Sequence, residues 1–319
     1  PVSLTASATL AVSVSAAPLV VTTSTLANAT VGTAYTVDLG ASGGSAPYSW
    51  ALTSGALPVG LSLSATGVIS GMPTTQGSSS FTVRVTDAST PAPLSASVTL
   101  SIAVGAPAVP TVLSPNWSGY AEDAGPFSAI TGTFNVPYLE AGTPTADRVT
   151  EWVGIDGAVS GDTSLIQAGV DEYPDASDPS LFYIQPWWEI LPAAQTNITT
   201  MAVHAGDQVT VTIGQISGSE WEITVADDTD GQSFSTDQVY TGPESSAEWI
   251  VEAPEVNGQI TTLAPYSPDV DFSDLRMTGS NTELAEWILV QDDVRVSTPS
   301  ALTAAGFNVA YGGVAPAAP

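Results

Sequence analysis

The sequence predicts an all-β chain of two domains. Three observations carry that reading. Thr, Ser, Val, Gly and Pro dominate the 319 residues, and apolar positions alternate with polar ones between frequent turn residues, which is the period of strands. No long amphipathic helical pattern interrupts them. A Pro/Ala-rich stretch, residues 106–111, separates two strand-rich regions and reads as a linker. The length is sufficient for two domains with cores of their own.

Residues 1–22 come first. Leu4-Thr5-Ala6-Ser7-Ala8-Thr9-Leu10-Ala11-Val12-Ser13-Val14 repeats as Leu94-Ser95-Ala96-Ser97-Val98-Thr99-Leu100-Ser101-Ile102-Ala103-Val104. The first copy reads as the last strand of a preceding module, followed by a linker. An orphan alternating strand is prone to edge pairing, so residues 4–14 are expected to add to a neighbouring sheet or a second chain; the molecule is otherwise expected to be a monomer. The chain opens at Pro1, so any signal peptide or propeptide is expected outside it.

Residues 23–105 carry Val31-Gly32-Thr33-Ala34-Tyr35, Pro47-Tyr48-Ser49-Trp50, Leu57-Pro58-Val59-Gly60-Leu61, Gly67-Val68-Ile69-Ser70-Gly71-Met72-Pro73 and Phe81-Thr82-Val83-Arg84-Val85-Thr86-Asp87. They resemble the immunoglobulin-like modules of bacterial and archaeal surface proteins. That resemblance implies a small sandwich of about seven strands, with Trp50 as its buried aromatic and a spacer or presentation role.

Composition narrows the chemistry. The chain has 32 acidic residues against four basic ones, Arg84, Arg148, Arg276 and Arg295, with one His and no Cys. Absence of Cys removes thiol nucleophiles, disulfides and Cys-ligated zinc. Absence of Lys removes Schiff bases and Ser–Lys dyads. A Ser–His–Asp triad would need His204, which sits in the turn Val203-His204-Ala205-Gly206-Asp207 and reads as solvated. Carboxylate chemistry remains. A formal charge of −28 at pH 7 excludes nucleic acid and anionic membranes as partners. No run approaches the ~20 apolar residues of a membrane span, so no membrane insertion is expected. In acid, carboxyl protonation leaves little net charge and little self-repulsion, which fits acid tolerance. Asp227-Asp228-Thr229-Asp230-Gly231 is too short for an EF-hand and reads as a hairpin turn.

Residues 112–319 hold four short strands whose alternate faces differ in character. In the strand of Gln167, that residue shares a face with Gly169 and Asp171, opposite Ile166, Ala168 and Val170. Glu248 and Glu252 point opposite Trp249 and Val251. Trp152 and Asp156 are placed opposite Val153 and Ile155, and Trp187 and Glu189 opposite Trp188 and Ile190. If the four share a sheet, their apolar faces make a core. The other faces make a carboxylate-rich, Trp-lined cleft.

The segments Asn116-Trp117-Ser118-Gly119-Tyr120, Thr131-Gly132-Thr133-Phe134-Asn135-Val136-Pro137, Trp152-Val153-Gly154-Ile155-Asp156-Gly157, the Gln167 strand, Trp188-Glu189 and Ala247-Glu248-Trp249-Ile250-Val251-Glu252 occur in the order found in the glutamic peptidases. Residues 116–295 resemble that family, the eqolisins. The resemblance implies a concanavalin-like antiparallel two-sheet β-sandwich and acid endopeptidase activity on protein or peptide substrates, without metal or cofactor. It makes Gln167 and Glu248 the catalytic pair. Glu248 would take a proton from the attacking water and return it to the leaving amine; Gln167 would orient the water and stabilise the oxyanion. Trp117, Trp152, Asp156, Asp171 and Glu189 match cleft positions, and Trp187 joins them as a substrate-binding candidate. Leu191 stands where the family usually has Tyr. A secreted or cell-surface location is expected. Two other readings remain: a glycosidase pairing Glu248 with Glu189 or Glu252, and a non-catalytic lectin or adhesin.

Overall fold

The computed structural model describes residues 17–107, 109–178, 181–279 and 284–319. The repeat at residues 4–14 lies outside them. Every regular element among the described residues is a strand, and the chain divides into two compact units, Pro1–Ala108 and Val109–Pro319.

In the first unit, Ala29–Thr30, Ser95–Gly105, Gly77–Thr86 and Ser49–Gly55 form one sheet in that order. Tyr35–Asp38, Val68–Gly71 and Leu61–Leu63 form another. Trp50, Ile69, Phe81, Val83, Val85 and Ile102 are buried between them, so Trp50 is a core aromatic, together with Phe81. The module begins ahead of residue 23: Val20–Val21 pairs with Ala41–Ser42, and Leu19 is buried in the same core.

The second unit contains fourteen strands of four residues or more: β1 Thr111–Ser114, β2 Trp117–Glu122, β3 Ala129–Asn135, β4 Val149–Ile155, β5 Ile166–Pro174, β6 Phe182–Ile190, β7 Gln208–Ser217, β8 Glu220–Asp227, β9 Gln232–Val239, β10 Ala247–Glu252, β11 Val270–Thr278, β12 Leu284–Gln291, β13 Val294–Pro299 and β14 Phe307–Tyr311. Hydrogen bonding runs through β6-β5-β4-β10-β2-β12-β13-β14-β11-β3-β7-β8-β9. The ladder folds over so that its two ends become stacked sheets. One core is buried between them, with Tyr120, Val153, Ala168, Val170 and Trp249 from the first sheet and Phe134, Val211, Ile223 and Phe272 from the second. Trp249 ties the layers together: its Nε1–H donates to the Thr131 carbonyl at 2.9 Å. Gly132 makes room for it, since a Cβ there would meet the indole Cδ1 at 2.5 Å.

Burial along the strands explains which face does what. In β7 and β8 buried residues alternate with more open ones, as in a sheet solvated on one side. All seven residues of β4 are buried. Its inner face lies in the core and its outer face is roofed by indole rings. That strand lies beneath the cleft and reaches its lining at Thr150.

Candidate active site

Three cross-strand rows build the outer face of the first sheet. Gly154 of β4 pairs with Gln167 of β5 on one side and Glu248 of β10 on the other, and Gln167 pairs with Glu189 of β6. Trp152 pairs with Gly169 and Ile250, and Gly169 with Trp187. Thr150 pairs with Asp171 and Glu252, and Glu252 with Trp117. Residues in one row share a face. Gln167 and Glu248 therefore project to the same side, separated by a strand that offers no side chain between them.

A cleft of ≈ 530 Å³ opens on this face, lined by Trp117, Gln167, Asp171, Trp187 and Glu189 together with Asn116, Leu165, Leu191, Gln195 and Glu252. The structure thus brings five of the eight sequence-derived site residues to one cavity. Trp152, Asp156 and Glu248 stand behind it, each 0% exposed.

Gln167 donates from Nε2 to Glu189 Oε2 at 2.7 Å, while its buried Oε1 has no partner. An amide nitrogen carries two N–H groups, so one remains for a ligand. Glu189 lines the cleft and also holds the amide. Among the described residues neither oxygen of Glu248 has a partner at hydrogen-bond distance. Burial pushes its carboxyl well above the usual range, Asp156 and Asp162 push it further, and Ser246 and the Ala158 amide oppose the shift. Burial raises Glu189 and Asp171 as well. Gln195 donates to Asp171 at 2.8 Å and favours its charged form.

Asp156 corrects the sequence reading. Alternation puts it on the Trp152 face as a substrate-binding candidate, but β4 ends at Ile155 and Asp156 takes φ 74°, which turns the chain out of the strand. Its carboxylate is saturated by the Tyr240 hydroxyl, the Glu244 and Ser245 amides and the Ser245 Oγ. It anchors the segment leading into Glu248 and has no lone pair open to the cleft. Trp152 is likewise covered, with Trp117 edge-on against it at 5.0 Å.

Three further carboxyls take places that the site candidates do not include. Glu252, which alternation sets on the cleft face and which is a candidate glycosidase carboxyl, accepts from Asn116 Nδ2 at 2.8 Å and Trp152 Nε1 at 2.7 Å, and burial raises it to about 7. Its parity with Glu248 was the available signal. Glu151 and Glu172 point into the core, sharing parity with Val153 and Val170. The alternation announced both, since polar residues on an aliphatic face are the exception.

His204 is exposed, with Nδ1 3.3 Å from Asp207 and 3.8 Å from Asp230, and Asp228, Thr229 and Asp230 form the turn between β8 and β9.

The outer face of this sandwich thus sets an amide and a carboxyl on either side of a bare glycine. Comparison with known proteins supplies the assignment. Residues 115–311 match the Peptidase A4 family, the glutamic peptidases, and the chain belongs to that family. It is a hydrolase of peptide bonds of the glutamic class. Residues 17–105 match a family described as an Ig domain. The chain is 27% identical over 226 residues to Aspergillopepsin-2 of Aspergillus niger, covering 62% of this chain and 78% of that protein. Among solved structures it is similar to scytalido-glutamic peptidase bound to a transition-state analogue inhibitor, at 23% identity and TM-score 0.54, covering 62% of this chain and 98% of the other. It is also similar to SCP-B, an eqolisin in complex with the tripeptide Ala-Ile-His, at 22% identity and TM-score 0.51, with the same coverage. At these identities the structural likenesses establish the fold.

Proposed function

We propose that the protein is a secreted endopeptidase acting in acid, with Gln167 and Glu248 as its catalytic pair. The observation that carries this is the register: both residues flank Gly154 in one row, on one face, with only the glycine between them. A water and a scissile carbonyl placed over Gly154 would meet the carboxyl of Glu248 and the amide of Gln167 together. Glu248 as carboxylate takes the proton of the attacking water and as carboxylic acid returns it to the leaving amine. The N–H of Gln167 left free by Glu189 supports the developing oxyanion. The glycosidase reading is disfavoured. Three inter-strand steps of about 4.8 Å put the Cα atoms of Glu189 and Glu248 about 14 Å apart, and the Glu189 carboxylate is engaged by Gln167.

Acid action rests on the scaffold rather than on Glu248. A base of raised proton affinity by itself favours higher pH, whereas the buried carboxyls of the core and the charge of −28 favour lower pH. An extracellular location fits acid work and the surface-type module. No helix among the described residues is long and apolar enough to cross a membrane.

The test is peptide hydrolysis by Glu248→Gln and Gln167→Ala, read beside their melting temperatures. Each variant should lose on the order of 10²-fold or more in kcat while staying folded. Full activity in either folded variant would sink the pair.

A further inference from the structure

Trp152 spans two parts of this site. At one end its Nε1–H donates to Glu252 Oε2 at 2.7 Å. At the other, its six-membered ring lies against Gly154, where a Cβ would come 2.9 Å from Cζ3. Leu165 Cδ1 closes on the same point at 3.1 Å. Gly154 is the bare position between Gln167 and Glu248, and Glu248 is 0% exposed. The lie of the Trp152 ring therefore sets how much room the reacting atoms have.

Glu252 touches neither member of the pair. It stands four residues after Glu248 on the same strand face, about 13 Å away by strand rise. Its second oxygen accepts from Asn116 Nδ2 at 2.8 Å, so both oxygens are occupied. Trp117 leans on the Trp152 ring at 5.0 Å with planes 74° apart. The hydrogen bond to Glu252 is thus the polar tether of an indole otherwise confined by packing.

We propose that Glu252 is a positioning residue for peptide hydrolysis: through its hydrogen bond to Trp152 it holds the indole that walls the slot over Gly154. The proposal rests on the Gln167–Glu248 reading. A carboxyl suits the task because both of its positions are oxygens that can accept, fully as the carboxylate and still one strongly and one weakly as the acid that its raised proton affinity favours below about pH 7. A glutamine offers one acceptor and turns an NH₂ against the other donor, so either Asn116 or Trp152 loses its partner. Misplacement of a group that shapes the reacting geometry is felt mainly in the chemical step.

The experiment measures kcat and KM on a small peptide for four proteins. These are the native chain, Glu252→Gln, a chain with Trp152 replaced by β-(3-benzothienyl)alanine (which keeps the ring and lacks the N–H), and the combination. Each single change should lower kcat by roughly tenfold or more, with KM moving less. The combination should be no worse than the poorer single, because both cut the same tether. Multiplying losses, or losses confined to KM, would overturn the proposal. So would a Glu252→Gln enzyme with native kcat where Glu248→Gln is inactive. If Glu252→Gln does not fold, the Trp152 analogue decides: native kcat there refutes the tether. An active Glu248→Gln enzyme would instead mark failure of the catalytic pair, and this proposal would fall with it.

Discussion

Replacing Glu151 and Glu172 by glutamine should move the stability of the enzyme toward neutral pH. Glu151 on β4 pairs with Val170, and Glu172 on β5 pairs with Val149, so the two carboxyls are diagonal neighbours on the core face. They are 0% and 1% exposed and have no hydrogen-bond partner outside the pair. Tyr266 packs nearby, its hydroxyl donating to the Val309 carbonyl, and Asp171 adds negative field from the other face. Among the described residues no cation offsets them, so burial pushes both carboxyls up, Glu151 to about 8. A carboxyl whose folded pKa is raised contributes fully below its unfolded value and loses that contribution as pH climbs through the folded one. For Glu151 the window runs from 4.5 to about 8. At 1.36 kcal/mol per pH decade that gap is worth about 5 kcal/mol, against roughly 5–15 kcal/mol for a whole domain. Glutamine cannot ionise and keeps nearly the same shape. Melting temperatures from pH 3 to 9 at constant ionic strength are the assay. The native protein should lose on the order of 10–20 °C between pH 4 and 8, at about 2–4 °C per kcal/mol, and the double variant much less. Parallel curves for the two proteins, or a native melting temperature that rises from pH 4 to 8, would refute the reasoning.

Gly154→Val should abolish peptide hydrolysis with little loss of β structure by circular dichroism, because its side chain fills the slot between Gln167 and Glu248 and strikes Trp152 and Leu165; native turnover would show that the reacting atoms meet elsewhere. A chain beginning at Val109 should fold alone and keep kcat/KM on small peptides within about twofold, since the division falls at Ala108 and Val109 and every cleft residue lies beyond it. A start at Pro115 removes β1, whose residues Thr111, Val112, Leu113 and Ser114 pair in parallel with β12, and should lower the melting temperature by several degrees. Equal melting temperatures for the two starts would mean that this strand contributes nothing to the sandwich.

Alternation along the strands was enough to place Gln167, Gly169 and Asp171 on one face and Ile166, Ala168 and Val170 on the other, and to set Glu248 and Glu252 opposite Trp249 and Val251. Composition was enough to leave carboxylates as the chemistry. Both are local properties, because side-chain direction in a strand repeats every two residues and ionisable groups can be counted. What alternation cannot carry is the pairing of strands far apart in sequence. Only the folded ladder put Gly154 between Gln167 and Glu248, residues on strands far apart in the sequence, and set all three in one row of one face. Only it sealed Asp156, through one left-handed φ that no periodicity records, and set Trp152 as a bar between Glu252 and Gly154. The proton affinities of Glu151, Glu172, Glu248 and Glu252 are tertiary for the same reason. A carboxyl's charge is written in the chain, but the solvent it loses depends on what the other strands lay over it.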